Sequence, residues 1–334
     1  MNLHRYIERI RQMIPESWLL LEEVCSYWHR LRKFNASFST DNDINKMQYT
    51  LSRENHVIEK GMSMNNPKKG FGQPKVMALI DRLSKYYTLY GEIDTEFLYY
   101  PLSTIKSYIT YQHQDNIDIP EIEKSFTLLC NKIGIDPKKL SLPAGISEQP
   151  SENLKKMAQG DFSSLLYSRH SIRYFQDHIP SKDLLDKALT LAARTPSACN
   201  RQAWHTHIYF NKDSHKLLEL QGGCNGFFQD IHCSIVVTAN MKGFLHYEPF
   251  QCYIDGGLYA MNLINALNYV GLGTIPLSCG FYNRKLSVIQ KRFEIPSNEV
   301  MIVIIGVGVM TDNVKVAEST RKPIKKTNTY HNGY

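Results

Sequence analysis

The periodicity of the apolar residues changes near residue 150, and that change commits the chain to two unlike regions. Before it, apolar residues recur at helical spacing. Leu3, Tyr6, Ile7, Ile10 and Ile14 make one helical face, and Pro15 ends the run. A second helix is predicted from Glu16 to about Phe34. Asp41 to Asp43 can cap a third, which runs to Glu59 and Lys60 and stops at Gly61. Asn65 to Gln73 is a loop by its Pro and Gly content. Further helices are expected near 75–90, 94–112 and 120–133, and Pro143 to Pro150 reads as a linker. An all-α region over residues 1–150 is the result.

After the change, short β-rich runs alternate with helices. The runs are His205 to Phe210, Ser234 to Ala239, Thr274 to Leu277 and Val300 to Val309. Helices are predicted near 181–194, 214–221, 248–270 and 283–293. This pattern predicts an α+β domain over residues 155–334. The helix from Glu248 to Val270 is apolar around most of its circumference, which suits the centre of a domain or a subunit interface.

Composition excludes several classes. No apolar run reaches the roughly 18 residues that a membrane helix needs. The N-terminal stretch has no apolar core of a secretory signal, so a cytoplasmic protein away from membranes is expected. Net charge is +7, but the basic residues are spread out, apart from Arg321-Lys322 and Lys325-Lys326, and no nucleic-acid partner is expected. The seven cysteines contain no Cys-x-x-Cys, which argues against a disulfide framework or a zinc site. His205 and His207 share one face of a predicted strand with no carboxylate close in sequence, so no metal site is expected. Ser52 to His56 and Glu59 to Gly61 read as a solvated helical face.

Five short constellations carry chemistry. Arg169-His170-Ser171-Ile172-Arg173 puts two guanidiniums, an imidazole and a hydroxyl within five residues. In an extended segment Arg169, Ser171 and Arg173 point one way, and Arg matches phosphate oxygens with a fixed fork of donors. Pro196-Ser197-Ala198-Cys199-Asn200-Arg201-Gln202-Ala203-Trp204 supplies neutral groups that donate and accept. Gln251 opens the long apolar helix. Gly271-Leu272-Gly273-Thr274 follows it and leads to Cys279-Gly280. Ser319-Thr320-Arg321-Lys322-Pro323 adds a further Arg that suits a phosphate.

Together, in this order and spacing, these segments resemble the FMN-dependent nitroreductase family, over about Phe162 to Lys326. The resemblance implies a nitroreductase-like FMN-binding fold, with a mixed, mostly antiparallel sheet flanked by helices in an intertwined homodimer. It implies tightly bound FMN at the subunit interface, and NAD(P)H as a transient co-substrate. Arg169, His170, Ser171 and Arg173 match the family's grip on phosphate and ribityl chain, and Arg321 its second phosphate contact. Pro196, Ser197, Asn200 and Gln202 match an element that reaches the flavin of the other subunit. Ala203 stands where the family has Pro. Gln251, Cys279 and Gly280 complete the expected cofactor set. The implied reaction is a ping-pong transfer of hydride through flavin N5 to a small oxidised acceptor such as a nitro compound or quinone. No catalytic side chain is implied, since solvent supplies protons. The same scaffold also serves dehalogenation, heterocycle oxidation, flavin cleavage or flavin binding without turnover. Gly306-Val307-Gly308 lacks the third Gly and the following helix of a dinucleotide fingerprint, so no Rossmann-type site is expected.

Overall fold

Residues 15–34, 42–245 and 248–331 are described in a computed structural model. The helix expected over Leu3 to Ile14 lies outside the described residues. Helix α1 is Glu16–Phe34. Asp43 then caps α2 (Ile44–Met62), accepting from Asn45 and Lys46 N–H. Gly61 was expected to stop this helix, yet α2 passes through it. A Cβ at Gly61 would stand 2.4 Å from Phe71 Cε2, so this glycine makes room for a ring instead of ending a helix. Helices α3 (Gln73–Tyr90), α4 (Tyr99–Gln114) and α5 (Pro120–Ile133) follow. Their apolar faces meet at Leu51, Ile58, Leu79, Leu83, Leu102 and Tyr108, all buried.

The segment expected to be a linker instead forms a strand, β1 (Ile146–Pro150). Next come α6 (Ser151–Ala158), α7 (Phe162–Ser168), α8 (Lys182–Ala192), β2 (Trp204–Phe210), α9 (Asn211–Gln221) and β3 (Cys233–Asn240). The chain continues through α10 (Gln251–Tyr269), β4 (Leu272–Ser278), α11 (Asn283–Arg292), β5 (Glu299–Val309) and β6 (Asn313–Ala317). β6 was not foreseen, and it pairs with β1.

The chain forms two compact units. One joins residues 15–33 to 149–314. The other joins residues 42–148 to 315–331. Residues 315–331 therefore group with the helices, although the sequence pattern placed them in the C-terminal domain. Local pairings account for this. Lys325 and Lys326 each hold a carboxylate at 2.9 Å, of Glu96 and Asp94. Lys322 Nζ lies 4.6 Å from the Tyr49 ring centre, and Glu318 N–H donates to Gly145 O at 3.2 Å.

The sheet unit is α+β, as expected. Its sheet is antiparallel with strand order β2-β3-β5-β4. Helix α10 lays Tyr259, Leu263 and Leu267 on one sheet face, against Val237 and Ile305. After α7 the chain runs extended along the free edge of β4. Ser171 bridges Thr274, and Ile172 N–H donates to Thr274 O at 2.8 Å. Phe175 then reaches the end of β5, bridging Met310. This path needs glycine beneath it. A Cβ at Gly308 would lie 2.5 Å from Phe175 Cγ, and one at Gly273 would lie 3.1 Å from Ile172 Cγ1. Gly308→Ala is expected to destabilise the unit by about 1–3 kcal/mol through overpacking, checked as a lower urea midpoint at unchanged slope.

Candidate functional site

The Arg-rich segment is set by both its ends. Asp161 caps α7, accepting from Ser164 N–H at 2.8 Å. Asn268 of α10 fixes the other end of that helix, donating to Ser168 Oγ at 2.8 Å. Arg169, His170 and Ser171 emerge half-buried. Arg173 is 3% exposed, and its Nη1 donates to Ser171 O at 3.3 Å. A guanidinium this deep keeps its charge, because Arg does not deprotonate in proteins.

The polar loop 195–203 lies at the opposite edge of the sheet, leading into β2. Three of its residues are left-handed without being glycine: Cys199 at φ 50, Asn200 at φ 55 and Gln202 at φ 49. Each costs of order 1–3 kcal/mol and persists only where surroundings hold it, and such residues cluster at functional sites. The surroundings are visible. Asp255 is 1% exposed and accepts from Ala198 N–H at 3.1 Å. Arg201 forks onto Glu248 at 2.7 and 2.8 Å, and its Nε donates to Ala198 O at 3.0 Å. Asn262 donates to Thr195 Oγ1 at 2.7 Å, and Ser197 Oγ accepts from Gln202 N–H at 2.9 Å. The loop is thus rigid, yet Pro196, Cys199, Asn200 and Gln202 remain exposed. Gln202 Nε2 donates to Asn200 Oδ1 at 3.1 Å, pairing the two amides. Trp204 closes the loop by stacking on Tyr259, with ring centres 4.9 Å apart.

Hydrogen bonds from Arg201 hold the Glu248 carboxyl down to about 2. Its folded pKa lies below the ordinary 4.5, so its contribution to stability is complete above 4.5 and is lost as pH falls toward about 2. Denaturant midpoints measured across that acid range should decline in the native protein. The Glu248→Gln variant should lack this part of the decline.

The remaining expected residues fall as follows. Gln251 Nε2 donates to Asp255 Oδ1 at 2.8 Å, so its amide serves the loop clamp. Gly280 N–H donates to Ser278 Oγ at 3.0 Å in the exposed turn after β4. Burial pushes the neighbouring Cys279 thiol up to about 12, which leaves it protonated and a poor nucleophile near neutral pH. Arg321 belongs to the helical unit, where its guanidinium donates to Ser319 O. It lines a cavity of about 680 Å³ together with Ser52, His56, Glu59 and Tyr100. The sequence pattern read Ser52, His56 and Glu59 as a solvated face. They instead line this cavity, as the seven-residue span between them allows on one helix face. Glu59 is buried, accepts from Tyr100 OH at 2.7 Å, and is raised above its ordinary pKa by desolvation.

Asp255, Glu248 and Asn262 were missed as site residues by sequence reasoning. Asp255 had a usable signal, one helical turn after Gln251. Glu248 lies 47 residues from Arg201 and had none. Among the described residues, no helix is long and apolar enough to cross a membrane.

Three comparisons bear on the sheet unit. The family model described as the nitroreductase family matches residues 166–222. A protein of Archaeoglobus fulgidus, provisionally named NADH dehydrogenase/NAD(P)H nitroreductase, is 25% identical over 149 residues, covering 44% of this chain and 84% of that protein. A protein of Methanothermobacter thermautotrophicus with the same provisional name is 23% identical over 158 residues, covering 47% and 82%. Among solved structures, a provisional nitroreductase of Desulfovibrio desulfuricans in complex with FMN is similar at 16% identity and TM-score 0.45, over 52% of this chain and 99% of that one. Residues 166–222 of this chain thus match the nitroreductase family model, and about half of the chain is similar in sequence to proteins that bear nitroreductase names.

Proposed function

We propose that the sheet unit binds FMN and passes reducing equivalents from NAD(P)H to a small oxidised acceptor. The observation that carries this reading is the clamped loop 195–203. It spends backbone strain on three left-handed residues and offers the amides of Asn200 and Gln202 outward. Neutral donors and acceptors held rigid and exposed suit the carbonyls and nitrogens of a flavin ring. The charge of Arg173 beside Ser171 fits the other end of FMN, its phosphate. Arg169 and His170 are assigned to the same phosphate and ribityl chain. Gln251, Cys279 and Gly280 complete the set, with Gln251 acting through Asp255.

Bound FMN would supply hydride-transfer chemistry between NAD(P)H and a nitro or quinone acceptor, in a ping-pong cycle. The chain's own residues then bind and orient. Arg173 and Ser171 fix the phosphate end. Asn200 and Gln202 supply hydrogen bonds at the ring, and no side chain is assigned a proton transfer.

The two constellations lie at opposite edges of a four-stranded sheet. Three strand spacings separate those edges, about 14 Å. We assign the site to two copies, as the sequence resemblance implies, in which one supplies Arg173 and the other supplies Ser197, Asn200 and Gln202. Helix α10 supports the same homodimer. Ile254, Leu258 and Met261 form an exposed apolar stripe at helical spacing, with open space over Gly257 between them.

The test is optical. Purified protein should be yellow with oxidised-flavin absorption, and anaerobic NADH or NADPH should bleach it. A colourless protein that takes up no FMN rules the reading out. A yellow protein that neither nicotinamide bleaches removes the hydride transfer.

A further inference from the structure

Three side chains of metal-ligand type converge on the sheet face opposite α10. Trp204 and Ile208 of β2 pack toward the α10 layer, so alternation sends His205 and His207 to the other face. Their ring centres lie 4.7 Å apart. The carboxylate that the sequence did not show nearby arrives from β5. Glu299 is its first residue, and its Oε2 lies 2.8 Å from His207 Nε2. One ligand atom from each of the three residues can be chosen so that all lie within 4.8 Å of one another.

We propose that His205, His207 and Glu299 bind a divalent first-row transition cation such as Zn²⁺. Two imidazoles and one carboxylate suit such an ion, whereas Mg²⁺ and Ca²⁺ favour all-oxygen shells. The outer shell is in place. Thr238 of β3, itself buried, donates its hydroxyl to Glu299 Oε2 and fixes that carboxylate. Exposure grades from buried Glu299 through half-buried His207 to exposed His205. The site therefore has an entry path and open positions for water. In the metal-free arrangement His207 Nε2 and Glu299 Oε2 are hydrogen-bonded to each other, a contact that the cation would replace. The bound ion would tie β2 to β5 across β3, at the strand that begins directly after the loop 195–203. This inference does not depend on flavin binding.

The experiment is a calorimetric titration of chelator-treated full-length protein with Zn²⁺. One equivalent should bind, and millimolar Mg²⁺ should not compete. His205→Ala and Glu299→Gln should each weaken binding at least about tenfold, and Thr238→Val by about tenfold through the outer shell. Zn²⁺ should raise the melting temperature of the native protein more than that of His205→Ala. His205 is exposed, so its replacement leaves the fold standing, and circular dichroism checks each variant. His215 and His232 form a second imidazole pair, with ring centres 5.0 Å apart, and His215→Ala should bind as the native protein does. Absence of saturable binding overturns the proposal. So does native affinity in Glu299→Gln, which would reduce the site to a surface chelate of two histidines. Loss of binding in His215→Ala would place the ion elsewhere and overturn it as well.

Discussion

Arg173→Ala should purify with little or no FMN where the native protein is yellow. Arg173 is 3% exposed and stands beside Ser171 on the β4 edge. A hydrogen bond to a charged group contributes about 1.5–3 kcal/mol, so its loss weakens binding roughly ten- to hundredfold. Arg173→Lys separates charge from shape. It keeps the cation but loses the planar fork, so its FMN content should fall between that of the native protein and that of Arg173→Ala. The measurement is the ratio of flavin to protein absorbance after gel filtration, beside a far-UV spectrum to confirm folding. A folded Arg173→Ala variant with native flavin content would show that the phosphate lies elsewhere.

Leu258→Glu should give a monomer, and that monomer should have lost its flavin. Leu258 is exposed in the single chain, so the new carboxylate costs the isolated subunit little. In a dimer packed on the α10 stripe, the same carboxylate would be buried without a partner. That penalty is several kcal/mol, or more than about a hundredfold in dimer affinity. The flavin effect is the more searching half. Leu258 is not among the residues assigned to FMN, yet a shared site is incomplete in a monomer that lacks the second copy's Ser197, Asn200 and Gln202. Sedimentation velocity and flavin absorbance on one sample read both. A dimer that persists would contradict the interface, and a yellow monomer would contradict the sharing.

Much of this fold was legible because its signals are local. Helix α1 spans Glu16–Phe34 and α5 spans Pro120–Ile133, both as the pattern predicted. Asp43 caps α2 as its residue type suggests, and Pro120 opens α5 from the first turn. Signals failed where the deciding partner is distant. Ile146 to Pro150 looks like a linker among its prolines, but it pairs with a strand more than 160 residues later. Gly61 carries a stop signal, and the ring of Phe71 explains it otherwise. The candidate site divides the same way. Arg173, Asn200 and Gln202 were readable from short motifs. Glu248 and Asp255, which hold the loop in its strained form, act through partners 47 and 57 residues away. Glu299 meets His207 across 92 residues and one intervening strand.

The order in which the two units alternate along the chain bears on how it is made. Residues 15–33 belong with the sheet, 42–148 with the helices, 149–314 with the sheet again, and 315–331 with the helices again. Synthesis from the N-terminus therefore delivers α1 well before any strand of its unit exists. Helices α2 to α5 emerge next, but the lysines that answer Glu96 and Asp94 come only after the whole sheet has been translated. Cutting the gene at residue 149 would divide both units at once, and cutting it at residue 314 would divide the helical one. Neither half of the chain is a natural fragment, and the helical unit completes itself only after the whole sheet unit has been spelled out.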